Sequence, residues 1–279
     1  MININEIKKK AIDDQVSISL VFQELVQAHI LDFFFKKGMF TDFVFQGGTA
    51  LRFLYQGVRY SEDLDFVLRR KNLPSFHASA EALRPLAAHM KKAVPFVGRV
   101  QWKVQKDTPT FKRYCVIIEA DFLDAKDKVN IEIANIPSRD PQTTILRHPF
   151  LSGAPGLTVE SADEILSDKF VAFAGREYIK GRDIWDIHFL LRTLKVNVSD
   201  AVIDMVKHKI VDYGLVKDRF QSAFKNRMAR FETEGELFLR QEMDKFLPLS
   251  YKAMFKNQYG VICSDVRSVL LKVAERIKI

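Results

Sequence analysis

A glycine pair followed closely by two aspartates at i and i+2 constrains this chain of 279 residues more than any other feature. Gly47-Gly48-Thr49 turns into a short expected helix, Thr49 to Tyr55. Ser61-Glu62-Asp63-Leu64-Asp65-Phe66 then reads as an extended run. Alternate residues of a strand share a face about 6.5–7 Å apart. Ser61, Asp63 and Asp65 therefore point one way, while Leu64 and Phe66 point into a core. Two carboxylates this close repel each other unless a cation lies between them. All-oxygen ligands suit a hard cation such as Mg2+, which keeps several waters and takes substrate phosphates as further ligands. The N–H groups of a glycine turn at a helix N-terminus favour a phosphate. Alone, each piece is an ordinary turn or a solvated strand edge; in this order and spacing they imply a metal-dependent site for a nucleoside triphosphate.

Phe45-Gln46-Gly47-Gly48-Thr49, then Asp63-Leu64-Asp65-Phe66, resembles the signature of the nucleotidyltransferase (polymerase β-like) superfamily. Its parts are a Gly-Gly/Ser turn, a short helix and Asp-x-Asp/Glu on the next strand. The fuller string over residues 47–66, from Gly-Gly-Thr-Ala-Leu-Arg-Phe-Leu to Arg-Tyr-Ser-Glu-Asp-Leu-Asp-Phe, is similar to the AbiEii/AbiGii-type toxin family of bacterial nucleotidyltransferases, which includes the mycobacterial MenT toxins. Thr49 stands where the superfamily often has Ser, and the hydroxyl is retained. The resemblance implies a third carboxylate on a later strand. Val129-Asn130-Ile131-Glu132-Ile133 alternates, with Glu132 facing away from the aliphatics. Glu119 and Asp121, on the less regular run 116–122, compete with it; the regular alternation favours Glu132. The expected metal set is Asp63, Asp65 and Glu132.

A second motif lies in residues 160–186. Ser161-Ala162-Asp163-Glu164 reads as a capping box that opens a helix. At 100° per residue, Lys169, Arg176, Lys180 and Asp183 fall within about 60° of one another on a continuous helix, a condition that Gly175 and Gly181 work against. In isolation this is a basic amphipathic helix with a solvated Lys/Arg face. After the first motif, it resembles the toxin family's lysine-bearing helix followed by Arg-Asp-x-x-Asp. The resemblance implies Lys169 on the triphosphate and Asp183 as a second-domain carboxylate that helps catalysis. Arg182 would orient Asp183 or touch a phosphate. The implied nucleotide-binding set is completed by Gly47, Gly48, Thr49, Arg52, Ser61 and Arg176.

The two cysteines, Cys115 and Cys263, have no metal-ligand spacing, which argues against a disulfide framework and a zinc site. The polar, lysine-rich start lacks the pattern of a signal peptide, and no apolar run is expected to reach membrane-spanning length, so a cytoplasmic protein without a membrane partner is expected. The net charge of +8 favours anionic partners such as nucleic acid or nucleotides.

An α+β architecture is expected: a mixed nucleotidyltransferase-fold sheet with flanking helices in residues 1–145, then an all-helical domain in 146–279 that completes the active-site cleft. Helix is expected over 6–37, 74–92, 161–179, 182–194, 199–212, 216–229, 231–245 and 264–277. Strands are expected over 43–46, 63–69, 96–106, 111–122 and 128–135, with a Pro- and Gly-rich linker over 137–156. The family resemblance implies transfer of NMP from an NTP to an RNA, notably a tRNA 3′ end, with Mg2+ or Mn2+, and a toxin role countered by a separately encoded antitoxin. A small-molecule nucleotidyltransferase of the antibiotic-modifying kind, and a non-catalytic regulatory protein on the same fold, stand as alternatives.

Overall fold

The computed structural model describes residues 3–123 and 125–278, and divides into two compact units, one up to Glu160 and one from Ser161 onward. In the first unit α1 (Ile4–Asp14) starts where the Asn3 side chain accepts from the Asn5 N–H, and α2 (Ile18–Lys36) where Ser17 accepts from Leu20. Each cap satisfies an N–H that the first helical turn leaves without a partner. β1 (Phe43–Gln46), α3 (Gly47–Leu54) and β2 (Asp63–Leu68) follow. The expected helix over 74–92 is broken into α4 (Pro74–His77), α5 (Ser79–Ala82) and α6 (Leu86–Ala93). Pro85, just before α6, has no N–H to continue a helical ladder.

Five more strands complete the sheet: β3 (Val97–Asp107), β4 (Phe111–Ala120), β5 (Asp127–Pro137), β6 (Pro141–Ile145) and β7 (Gly156–Glu160). The order is β3-β4-β5-β2-β1-β7-β6. β2 runs parallel to β5 and β1 parallel to β7, and the other neighbours are antiparallel. The strands expected over 96–106, 111–122 and 128–135 are β3, β4 and β5, and they pair antiparallel in succession. The expected linker over 137–156 does not: its ends are strands of the sheet, and the compact unit continues to Glu160. Proline at the first residue of β6, on the sheet edge, is compatible with a strand, which a reading of Pro and Gly as breakers conceals.

Leu64 and Phe66 do point into a core. Phe66 stacks on Phe34 of α2 at 4.9 Å and lies 5.4 Å from Phe45. α2 is long and apolar enough to cross a membrane by length and composition, contrary to the expectation above, yet 72% of that stretch is buried inside the protein. It is the helix that covers the Phe45–Phe66 face of the sheet. Val44, paired with Val67, and Gln46, paired with Asp65, lie on the opposite face, where Val44 and Val67 pack with Ile136 in a second buried cluster.

The second unit is all helical: α7 (Ala162–Gly175), α8 (Gly181–Arg192), α9 (Asp200–Asp212), α10 (Lys217–Phe246), α11 (Leu249–Phe255) and α12 (Tyr259–Ile277). Ser161 caps α7 by accepting from the Glu164 N–H at 3.1 Å, as its sequence requires. The two helices expected over 216–245 are one, since no Pro lies between them and α10 runs through Gly235 without a break. Phe173 of α7 meets Phe224 and Phe231 of α10 edge to face.

Candidate active site

Sheet register assembles the carboxylates. Antiparallel pairing sets Gln46 opposite Asp65, and parallel pairing sets Asp63 beside Asn130 and Asp65 beside Glu132. β4 then sets Arg113 opposite Glu132. Asp63, Asp65 and Glu132 thus share one face, on two adjacent strands, and all three are half-buried. Strands pair about 4.8 Å apart, so Asp65 and Glu132 are close enough for one cation to serve both. Of the competing acids, Glu119 is opposite Arg99 at the outer edge and pairs with Lys126 at 2.7 Å, and Asp121 lies beyond the end of β4. The geometry brings Glu132, not these, to the aspartates.

The donors that hold these carboxylates were not legible in sequence. Asn130 Nδ2 donates to Asp63 Oδ1 at 2.9 Å, and Arg113 Nη2 lies 2.6 Å from Glu132 Oε1. Both residues are placed by strand register, which a single sequence does not state. Arg59 is 3% exposed, donates to the Tyr60 carbonyl at 3.0 Å and lays its guanidinium over Gly48.

The glycine turn is shaped by these side chains. Gly47 has φ +80°, and a Cβ there would lie 2.5 Å from Asp65 Oδ2. A Cβ on Gly48 would run into the Arg59 guanidinium and fall 3.1 Å from Ser61 Oγ. Both glycines are needed so that backbone, carboxylate and guanidinium can approach one another. The first N–H groups of α3 emerge at this point, beside Asp65.

Two expected phosphate contacts are engaged elsewhere. The Thr49 hydroxyl is buried and donates to the Asp63 carbonyl, so it fastens α3 to β2. Arg52 pairs with Glu24 at 2.7 Å, donates to the Val58 carbonyl at 3.0 Å and lies 4.2 Å over the Tyr60 ring. Burial opposes the charge on both partners, but their attraction, with the His148 hydrogen bond to Glu24, wins. Glu24 is held below and Arg52 above its ordinary pKa. Arg52 therefore braces α3 against α2. Ser61 is partly exposed beside Gly48, and its carbonyl accepts from Gln27 at 2.9 Å.

In the second unit Lys169, Arg176 and Asp183 do converge, though not on one continuous helix: the chain breaks between Gly175 and Gly181, and α7 packs beside α8. Lys169 Nζ lies 2.8 Å from Asp183 Oδ1 and 2.8 Å from Asp186 Oδ2, and Arg176 pairs with the other oxygen of Asp183. Lys169 is buried rather than solvated. Burial by itself would raise the Asp183 pKa, but Arg176 and Lys169 outweigh it and hold the carboxyl well below the usual range. Asp183 is therefore a fixed anion at neutral pH. Arg182 is turned away from Asp183: its N–H donates to Glu242 at 2.8 Å and its guanidinium lies over Phe246.

A mixed sheet whose glycine turn adjoins neighbouring strand carboxylates defines a nucleotidyltransferase. The chain belongs to the AbiEii family: the model of the nucleotidyl transferase AbiEii toxin of type IV toxin–antitoxin systems matches residues 30–264. It is therefore a toxin–antitoxin-system nucleotidyltransferase, and the non-catalytic alternative falls away. The family implies a nucleotide substrate and an antitoxin partner. Two solved structures share the fold. One, a candidate nucleotidyltransferase from H. pylori, has TM-score 0.52 and 21% identity, over 92% of this chain and 99% of that one. The other, JHP933 from Helicobacter pylori, has TM-score 0.51 and 21% identity, over 94% of this chain and 98% of that one. No protein of curated function matches the chain by sequence.

Proposed function

We propose that the chain transfers a nucleoside monophosphate from an NTP to an RNA acceptor, a tRNA 3′ end, with Mg2+ or Mn2+ held by Asp63, Asp65 and Glu132. The observation that carries this reading is the juxtaposition of Asp65 and Glu132 in register, with the Gly47 backbone against Asp65. Three carboxylates beside a side-chain-free glycine turn suit a hard cation and the phosphates it brings. Bound there, a divalent ion neutralises the triphosphate and the charge that develops on transfer.

The chain's own groups do the rest. Asn130 and Arg113 fix the rotamers of Asp63 and Glu132 by hydrogen bond and ion pair. The N–H groups that open α3 face the phosphates, and Arg59 holds the turn in shape beneath them. Catalysis of this kind rests on positioning and electrostatics. Within the second unit, Lys169 is held between Asp183 and Asp186, and Arg176 pairs with Asp183. A small cationic acceptor would call for an acidic pocket, and the sheet face beyond the carboxylates carries cations instead. The activity acts in the cytoplasm, where tRNA and NTPs meet, and a separately encoded antitoxin restrains it.

The test is incubation of purified protein with each labelled NTP and total tRNA or an aminoglycoside, with Mg2+, Mn2+ or EDTA. Label in tRNA that depends on the metal is expected. Label in the small molecule alone, or transfer undiminished in EDTA, would overturn the reading.

A further inference from the structure

The catalytic face of the sheet does not end at Glu132. Register carries it outward over β4 and β3: Asp63 is beside Asn130, Asn130 opposite Cys115, and Cys115 opposite Lys103. One step along the strands, Lys128 is opposite Ile117 and Ile117 opposite Gln101; a further step brings Arg99 opposite Glu119. Directly opposed residues point to the same face, so Arg99, Lys103 and Lys128 look the same way as the metal-binding aspartates. All three are exposed. Lys103 lies three strand spacings from Asp63, about 14 Å.

The surroundings agree with this placement. The Cys115 thiol is pushed up by burial, with Lys128 and Lys103 opposing and Asp63 reinforcing, in keeping with the register. Phe111, on the same face, is partly exposed and has Lys106 Nζ at 5.2 Å and the Arg113 guanidinium at 5.8 Å from its ring. With the Gln101 amide oxygen turned toward it, the Arg99 guanidinium donates there at 2.6 and 2.9 Å, so the head group is aligned along the face. Glu119, an acid on this face, is held below its ordinary pKa chiefly by its hydrogen bond from Lys126.

We propose that the outer catalytic face, formed by Arg99, Lys103 and Lys128 with Phe111 and Lys106, is the surface that carries the acceptor RNA to the aspartates. It rests on the reading that the acceptor is RNA. Cations in a stripe match a phosphate backbone, and an aromatic ring between cations gives a base a stacking platform. The stripe starts at the catalytic carboxylates and leads away from them, so a strand lying on it presents its end to the transfer site.

The experiment compares the full-length protein with the triple variant Arg99→Gln/Lys103→Gln/Lys128→Gln and with Lys8→Gln/Lys91→Gln/Lys92→Gln. The second removes the same charge from the exposed residues of α1 and α6. tRNA affinity is measured by anisotropy across 50–200 mM salt, and KM for the NTP in parallel. Loss of three phosphate contacts should flatten the slope of log K against log salt by about 2 and weaken binding roughly a hundredfold near 0.1 M. The α1/α6 variant should keep the wild-type slope, and KM for the NTP should stay unchanged in both. An unchanged slope in the Arg99/Lys103/Lys128 variant, with wild-type tRNA binding intact, would overturn the placement and leave the RNA reading standing. Absence of tRNA binding by the wild type would overturn both.

Discussion

The two units treat neighbouring carboxylates in opposite ways. In the first, Asp63, Asp65 and Glu132 lie half-buried on a sheet face beside Asn130, Arg113 and a glycine turn. In the second, Glu164, Asp168, Asp183 and Asp186 are buried against the protein's own cations. Lys209, fully buried, is 2.7 Å from Glu164 and 2.8 Å from Asp168, and Tyr213 donates to Asp168 at 3.1 Å. Spacing does not distinguish the sets, since both come from regular elements that bring acids onto one face. Accessibility does. A carboxylate that solvent and solutes can reach is available to a metal or a phosphate-bound cation. One sealed against a lysine holds the fold, because separating a buried pair leaves an uncompensated charge.

The sharpest test of this contrast is neutralisation in the first unit. Asp63→Asn or Asp65→Asn should lower NMP transfer at least about 10³-fold, about 4 kcal/mol of transition-state stabilisation. Stability in urea should move by less than about 1 kcal/mol, because the groups are half-exposed. A folded Asp65→Asn protein with wild-type turnover would break the contrast outright.

The second unit should respond in the other sense. Lys209→Ala strands Glu164 and Asp168 and should cost about 3–5 kcal/mol of stability. Replacing all three with leucines should cost far less, since no charge is then orphaned. Lys169→Ala belongs to the same class. A solvated helix lysine would change stability by less than about 0.5 kcal/mol, but Lys169 is 8% exposed between two aspartates, and a loss of several kcal/mol is expected. Equilibrium unfolding of the three variants decides it: a Lys169→Ala protein of wild-type stability would put that lysine back on a solvated face.

The glycine turn tests whether Arg59 belongs to the first set. Gly48→Ala should push the Arg59 guanidinium aside and reduce transfer about 10²-fold, or about 2.7 kcal/mol, while leaving the sheet folded. Single-turnover rates at saturating NTP, with circular dichroism, measure both. Unchanged rates would reduce Arg59 to packing.

These differences follow what a single sequence can express. Asp63, Asp65 and Glu132 were legible because a period of two fixes the face of each strand by itself. Arg113, Asn130 and Arg59 were not, because their places depend on which strand pairs with which and in what register. Thr49 and Arg52 were legible as residues near the turn but not in role: both have donors that phosphate could use, and the structure gives those donors to Asp63 and Glu24. The Lys169–Asp183 association was anticipated from helical periodicity, yet it arises between two helices. Its burial was invisible because the partners that cover it come from elsewhere in the chain. The strands at 141–145 and 156–160 were hidden by their own turn residues.

The two units should also differ in acid, and this effect is the smallest and most selective. His29 on α2 is buried with no hydrogen-bond partner found for either ring nitrogen among the described residues. Burial pushes its pKa down to about 4; Asp32 opposes the shift, and His89, Lys36 and His148 reinforce it. The unfolded chain takes up this proton near the ordinary value of 6.5, whereas the folded chain does so only near 4. The stability associated with neutral His29 is therefore complete above about pH 6.5 and is lost as pH falls toward 4, amounting to about 2 kcal/mol between pH 7 and pH 5. Asp183 is depressed in the carboxylate sense, so its contribution is intact above its ordinary value of 3.8 and declines only at lower pH. His188 in the second unit is pushed down by burial as well, with the Asp265 carboxylate opposing and Arg192 reinforcing; the large shift lies at His29, so the first unit should lose the more over this range. The two tryptophans separate the units: Trp102 lies on β3 and Trp185 on α8. Urea unfolding of Trp185→Phe, which reports through Trp102, should shift to lower midpoint from pH 7 to pH 5. Trp102→Phe, reporting through Trp185, should shift less, and His29→Leu should abolish most of the first shift. Equal shifts in both reporters, unaffected by His29→Leu, would show that the first unit's acid response has another source.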